Sequence, residues 1–116
     1  MHTRRRAVVA LAAWTLAVWA GRVRNVLADG GGAGDLIVPV GLLMLAVLAL
    51  VAPRRAWILA SVTIGVWAVR LPLVLVHDHP AGFKIVHTVL AAVSVGLAVW
   101  ALRSARRPEL TTLAAR

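Results

Sequence analysis

Long apolar runs separated by short polar segments dominate the pattern of this chain. Four runs approach the roughly 20 apolar residues that a helix needs to cross a bilayer. They cover residues 7–27, 36–52, 56–76 and 84–102. The runs show little contrast between one helix face and another, which favours helices surrounded by lipid or protein over the amphipathic helices of a soluble protein.

Glycine and proline mark the segments between these runs. Residues 29–35 read DGGGAGD, residues 53–55 read PRR, and residues 77–82 read HDHPAG. Such clusters are typical of turns, because glycine adopts conformations closed to other residues and proline lacks the amide hydrogen that a helix needs. We also expect Pro108 to end the fourth helix, which leaves residues 103–116 as a basic cytoplasmic tail. The sequence thus predicts a single all-α transmembrane domain over residues 1–116.

Composition and charge support this interpretation. Apolar residues make up 61% of the 116 residues, against roughly 45–50% in soluble domains. The net charge of +9 is concentrated at the ends of the apolar runs, which is typical of membrane flanks and excludes a nucleic-acid surface, where basic and polar side chains share a face. With no cysteine, disulfides and thiolate metal sites are excluded.

Arginine is distributed unequally between the two sides of the predicted bundle. One side collects Arg4, Arg5, Arg6, Arg54, Arg55, Arg103, Arg106, Arg107 and Arg116. The other side has Arg22, Arg24, Arg70 and Lys84, which Asp29, Asp35 and Asp78 partly offset. Positive charge in short loops favours the cytoplasm, so both termini are expected there. The arginine- and alanine-rich composition is typical of GC-rich bacteria, and the expected location is the bacterial plasma membrane.

An internal repeat appears when the chain is shifted by 48 residues. Residues 6–52 and 54–100 share 17 identities in 47 positions. The scarce residue types carry the signal, since Thr15, Trp19 and Arg22 fall on Thr63, Trp67 and Arg70. We interpret the halves, 6–52 and 54–102, as duplicated helical hairpins related by a pseudo-twofold axis along the membrane normal. The alternative is convergence on a common membrane flank, with tryptophan at the interface and arginine just beyond it. Although the first run resembles a signal peptide, its equivalence to the third predicts that it is retained.

Spacing within the repeat assigns helix faces. Residues four and three apart share a face, so the threonine, tryptophan and arginine of each half lie together. Another stripe consists of small residues four apart, which allow close approach between helices. Its members are Ala13 and Ala17, Ser61 and Gly65, and Ala92 and Gly96. These pairs are expected to be packing seams within the bundle or in a homodimer.

Arg22 and Arg70 are the sharpest candidates for function, because a charged group inside a span is costly. If both face the bundle axis, they form a paired cationic site open to the outside, suited to a carboxylate, a phosphate, another small anion or a lipid headgroup. Two alternatives remain open. The arginines extend to the headgroups with Trp19 and Trp67 as interfacial anchors, or they pair with Asp29, Asp35 or Asp78.

His87 is the one histidine within a span, near its outer end. It is a candidate for a pH-sensitive gate, with a hydrogen-bonded interface histidine as the alternative. A metal site of His77, His79 and His87 is a weak alternative, because their spacing matches no standard ligand pattern. A haem with two axial histidines is not expected, and no cofactor is predicted.

Two functional hypotheses follow. No carboxylate lies within a span, and no catalytic triad or phosphate-binding loop is present, so we expect a non-enzymatic protein. The leading hypothesis is an outward-facing cationic site that binds or passes a small anion or polar headgroup. It involves Arg22, Arg70, His87 and the flanking Thr15, Thr63, Trp19 and Trp67. The alternative is an accessory or assembly subunit of a larger membrane complex, in which the arginines only set the topology.

Overall fold

The chain folds into four α-helices in a computed structural model that describes the backbone of residues 2–115 and the side chains of residues 4–104. The helices are α1 (His2–Ala28), α2 (Ile37–Val51), α3 (Ala56–Val76) and α4 (Ala81–Ala115). Short 3₁₀ turns, Ala33–Asp35 and Pro53–Arg55, precede α2 and α3. The prediction of an all-helical fold is confirmed, and α2 and α3 begin and end within one residue of their predicted bounds.

Three of the helices contain a stretch long and apolar enough to cross a membrane: Arg4–Ala28, Pro53–Val76 and Ala81–Ser104. The chain therefore has the character of a membrane protein. The apolar helix α2 has only 15 residues. At about 1.5 Å rise per residue it is roughly 22 Å long, less than the hydrocarbon core of about 30 Å. Its crossing of the membrane stays a prediction.

Glycine ends α1, as the sequence indicated. Gly30 has a φ of +73°, the left-handed conformation that stops a helix and that glycine adopts without steric cost. The amide of the next residue, Gly31, donates a hydrogen bond of 2.8 Å to the carbonyl of Val26. A Cβ atom at Gly31 would lie 2.5 Å from a methyl group of that valine, so the turn requires glycine there.

The predicted end of α4 at Pro108 is wrong, because the helix continues to Ala115. A proline removes one backbone hydrogen bond and strains the preceding turn. Five of the seven residues in the stretch ELTTLAA that follows it, the Glu, Leu and Ala residues, favour helix. One proline does not end the helix in this context.

The helices pack in a closed order, with α1 against α2, α2 against α3, α3 against α4, and α4 back against α1. Since the connections are short, neighbouring helices are antiparallel, and α1 and α3 lie on a diagonal. We call the end with the two longer connections, residues 29–36 and 77–80, the loop end. The opposite end, with the start of α1 and the α2–α3 connection, is the terminal end.

Alanine makes much of the core. The fully buried alanines are Ala7, Ala12, Ala46, Ala49, Ala60 and Ala98. The predicted seams are not the packing contacts within the bundle, since all six of their residues are exposed: Ala13, Ala17, Ser61, Gly65, Ala92 and Gly96. The buried stripe on α1 and α3 lies one residue earlier, at Ala12 and Ala60, because Thr15, Trp19 and their repeat partners turn that face inward.

Candidate functional site

A cavity of about 320 Å³ lies toward the loop end, among α1, α3 and α4. This volume is within the range of about 300–1,000 Å³ typical of sites for small molecules. Its walls combine apolar, aromatic and cationic side chains. They are Val18, Trp19, Gly21, Arg22 and Asn25 of α1, Trp67 and Arg70 of α3, and Phe83, Val86, His87 and Leu90 of α4. Five of the seven residues singled out from the sequence therefore line one cavity.

Arg22 and Arg70 occupy matching positions in this cavity. Each lies six residues before the end of its helix, about 9 Å along the axis, and each is half-buried. None of the three aspartates of residues 29–78 lines the cavity. Among side chains 4–104, no salt bridge within 4.0 Å joins these aspartates to the arginines. The two guanidinium groups thus face a space without a carboxylate to neutralise them, and the expected pairing with aspartate is not found there.

Trp19 and Trp67, one from each of the two cationic helices, are in contact at the back of the cavity. Their side chains are only 4% and 3% exposed, and their ring centroids are 6.1 Å apart across the bundle diagonal. The guanidinium carbon of Arg70 lies 5.8 Å from the Trp19 ring centroid, within the distance of a cation–π interaction. The alternative that these tryptophans are interfacial anchors is wrong, because both rings are buried inside the bundle.

His87 closes one side of the cavity and is held by its own helix. Its Nδ1 donates to the carbonyl of Phe83 at 2.8 Å, and the two rings are stacked with centroids 4.0 Å apart. The Trp67 ring lies 6.5 Å away on the other side. In the neutral ring this hydrogen bond leaves Nε2 as an acceptor, and in the protonated ring Nε2 becomes a donor.

The three histidines of the weak metal alternative do not converge on one point. Within the residues that the structure describes, no group of three histidine, aspartate or glutamate side chains is close enough to hold a metal ion. The Nδ1 of His77 is occupied by the carbonyl of Leu73, and that of His87 by Phe83. The ring of His79 lies against Phe83, with centroids 4.5 Å apart.

Thr15 and Thr63 lie one turn below the tryptophans, and both are 2% exposed. They are outside the cavity lining and support it from beneath. The hydroxyl of Thr15 donates to the carbonyl of Leu11 at 2.7 Å. In contrast, Thr63 Oγ1 and Trp67 Nε1 are buried without a hydrogen-bond partner among the described residues. A buried unpaired polar group costs about 1–3 kcal/mol, so this region gains from any molecule that reaches it with a complementary group.

Two contacts were not expected from the sequence. Trp14 Nε1 of α1 donates to Ser94 Oγ of α4 at 2.8 Å, one helix turn below the cavity floor formed by Val18 and Leu90. The stacking of Phe83 on His87 is the other. The spacing of four residues between these two rings was the available signal, whereas nothing in the sequence pairs residue 14 with residue 94.

A larger groove of about 620 Å³ between α2 and α3 is lined by apolar residues from Ile37 to Val66 and has no charged side chain. Its lining offers no group that would hold a charged ligand. The cavity among α1, α3 and α4 is the candidate site because it brings together five of the residues singled out from the sequence. Comparison of the chain with protein-family models, with curated proteins and with solved structures finds no match.

Proposed function

We propose that this chain is a non-enzymatic bacterial plasma-membrane protein whose cavity binds an anion, either a small anion or the polar headgroup of a lipid. The observation that carries the proposal is the pair of half-buried guanidinium groups, Arg22 and Arg70, in one cavity without a lining carboxylate. A cationic pair in a poorly hydrated site is stabilised by an anion that accepts hydrogen bonds from both. The role is binding or passage and involves no chemical step.

The groups around the arginines are consistent with this ligand. The Asn25 amide and the two guanidinium groups offer hydrogen-bond donors to a ligand in the cavity. Arg70 is oriented by the Trp19 ring, which limits the conformational entropy that it would lose on binding. Phosphate and carboxylate both match the flat, two-pronged geometry of arginine.

We further propose that all four helices cross the membrane, with both termini in the cytoplasm and the cavity facing outward. The excess of arginine at the terminal end and the antiparallel packing of neighbouring helices support this topology. Local thinning of the bilayer accommodates a short span such as α2.

Because the chain has no cysteine, single cysteines at Gly32 and Arg54 can be labelled from either side. We expect Gly32→Cys to react from outside and Arg54→Cys from inside; reaction of both from one side would overturn the topology.

The bundle is also proposed to be a duplicated hairpin with approximate twofold symmetry. In support, Thr15 and Thr63 are equally buried, as are Trp19 and Trp67. The symmetry is approximate, since Thr15 has a hydrogen-bond partner among the described residues and Thr63 has none there.

Native mass spectrometry of the protein released gently from its own membrane tests the anion site. We expect a bound anionic molecule that is lost when Arg22 and Arg70 are both changed to Gln. Arg24→Gln is the matched control, because Arg24 is on the same helix, exposed, and outside the cavity. The proposal is wrong if the double variant retains the molecule, or if the Arg24→Gln control loses it as well.

The second candidate function is an accessory subunit, or a homodimer, docked through small residues. It is favoured by the exposure of Ala17 on α1 and Gly65 on α3, where a Cβ added at Gly65 meets nothing within 4 Å. If this function is correct, changing Ala17 and Gly65 to Leu should abolish chemical crosslinking to the partner. The Arg22 and Arg70 variants should leave the crosslinking almost unchanged. An intact complex in the leucine variant argues against it.

A further inference from the structure

We propose that the ligand of this cavity is an amphiphile of the surrounding leaflet, with a phosphate or carboxylate head, that enters sideways between α1 and α4. The inference rests on the proposed anion site and deepens it, because it names the class of ligand and its path. It follows from where the cavity opens, how it is closed below, and how charge is distributed along its walls.

The cavity opens on the flank of the bundle. Its back wall, on α3, is formed by the buried Trp67 and the half-buried Arg70. The exposed lining residues all belong to α1 and α4: Gly21 and Asn25 on the first helix, and Phe83 and Val86 on the second, of which the valine is 54% exposed. The mouth therefore lies in the gap between these two helices.

This mouth is at membrane depth. Gly21 lies seven residues before the end of α1, and Val86 lies five residues after the start of α4, which corresponds to about 8–10 Å below the helix ends. The neighbouring side chains of Ile85 and Val89 are 63% and 55% exposed. A gap flanked by such an apolar surface faces acyl chains when the helices span a bilayer.

The gap is closed one turn below the cavity. The hydrogen bond between Trp14 and Ser94 joins α1 to α4, and Val18 and Leu90, each four residues nearer the loop end, form the floor. The two helices are thus held together toward the terminal end and leave a wedge-shaped opening toward the loop end. A ligand that enters stops at the level of the arginines.

Polar and apolar groups are segregated along this wedge. Arg22, Arg70 and Asn25 provide the charge and the donors, while Val86 and Phe83 make an apolar lip. A volume of about 320 Å³ accommodates a headgroup and leaves no room for acyl chains, which then extend past the lip along α4. A free inorganic anion would use the cationic groups and gain nothing from the lip.

Gly21 offers a way to block the mouth without removing a cation. A Cβ atom added there meets nothing within 4 Å, so Gly21→Phe places a ring in the gap without forcing the helices apart. The matched control is Gly65→Phe, an exposed helical glycine with equal space that does not line the cavity.

The experiment compares two probes. Wild-type protein, Gly21→Phe, Gly65→Phe and the Arg22→Gln/Arg70→Gln variant are reconstituted in nanodiscs of phosphatidylglycerol and phosphatidylcholine, and retained lipid is measured by native mass spectrometry. The same proteins in lipid-free neutral detergent are titrated with inorganic phosphate, followed by tryptophan fluorescence.

We expect the wild type and Gly65→Phe to retain phosphatidylglycerol over phosphatidylcholine, and Gly21→Phe to lose about tenfold in that preference, equivalent to ~1.4 kcal/mol. The phosphate affinity of Gly21→Phe should fall much less than its lipid preference, and the double arginine variant should lose both ligands. If Gly21→Phe keeps the lipid preference, or if only phosphate binds to the wild type, the lateral path is wrong and the anion site stands. If the double arginine variant keeps both ligands, the proposed function fails as well.

Discussion

The two ends of the bundle are built from different side chains, and the cavity that brings Arg22 and Arg70 together lies toward the loop end. Toward the terminal end, the interior consists of alanines such as Ala7, Ala12 and Ala60 with a few leucines. Toward the loop end, two tryptophans, two half-buried arginines and a half-buried histidine line the cavity, and Val26 and Val74 are buried as well. Thr15 and Thr63 mark the boundary between these regions.

Side-chain size is the physical cause. Small residues let helix backbones approach closely, so dispersion contacts replace lipid contacts over a long surface. Indole and guanidinium groups are larger, and a cavity lies among α1, α3 and α4 at their level. We expect the alanine region to supply stability, and the proposed ligand site lies in the open region.

The largest expected effect comes from overpacking the alanine region. Ala12→Leu should destabilise the protein by about 1–3 kcal/mol, because a larger side chain does not fit where a fully buried alanine stands. The measurement is the unfolding free energy in mixed micelles titrated with denaturing detergent. Ala13→Leu is the control, since that neighbour is exposed, and its effect should stay within about 0.5 kcal/mol. Equal effects at both positions would mean that the two regions are packed alike.

The hydrogen bond at the boundary should have a smaller effect. A double-mutant cycle of Trp14→Phe and Ser94→Ala should give a coupling of about 0.6 kcal/mol, the average for hydrogen bonds between membrane helices, and at most about 1.7 kcal/mol. As a control, a cycle that combines Ser94→Ala with Trp100→Phe, a change at an exposed tryptophan, should give no coupling energy. If the cycle of Trp14 and Ser94 shows no coupling energy, their hydrogen bond does not join α1 to α4 and does not close the cavity from below.

In the cavity, the contact of Arg70 with Trp19 should be measurable but weak. A cycle of Arg70→Gln and Trp19→Leu should give about 0.5–1 kcal/mol, as expected for a partly exposed cation–π pair. Arg22→Gln in place of the first change is the control, because residues 4–104 show no such contact for Arg22. If the cycle with Arg22→Gln gives an equally large coupling energy, both guanidinium groups interact with the Trp19 ring.

The threonines provide the finest comparison, since the repeat matches them by position. Thr63→Val removes a buried hydroxyl that has no partner and should leave stability unchanged or raise it within about 0.5 kcal/mol. Thr15→Val removes a hydrogen bond to Leu11 and should cost about 0.5–1 kcal/mol. Thermal unfolding of the two variants side by side is sufficient. A larger loss at position 63 would reveal a bound water or ligand on that hydroxyl.

Much of the fold could be predicted because it depends on local properties. Apolar runs, Gly30 and Pro80 determine where helices begin and end, and α2 and α3 match their predicted bounds within one residue. The wrong prediction at Pro108 shows that a single proline does not always end a helix when most of the residues after it favour helix. The prediction that the small-residue seams pack within the bundle was wrong for another reason. Two neighbouring stripes of small residues on α1 look alike in sequence, and only packing distinguishes Ala12 from Ala13.

The candidate site could be predicted only in part. The scarcity of tryptophan and arginine within apolar runs identified four residues that line the cavity, and His87 was identified as the one histidine within a span. The roles of Phe83, Asn25 and the Trp14–Ser94 pair were not found, because these depend on which faces of α1 and α4 meet.

The sequence by itself determined four apolar helices, their breaks and the presence of cations within two of them, since these follow from composition and order along the chain. Only the tertiary structure decided that Arg22 and Arg70 share one cavity, that the tryptophans lie inside the bundle, and that a gap between α1 and α4 leads to them. The physical reason is that helices with little apolar contrast can pack on almost any face. The choice among faces depends on the fit of whole side chains across the interface, which no single segment contains.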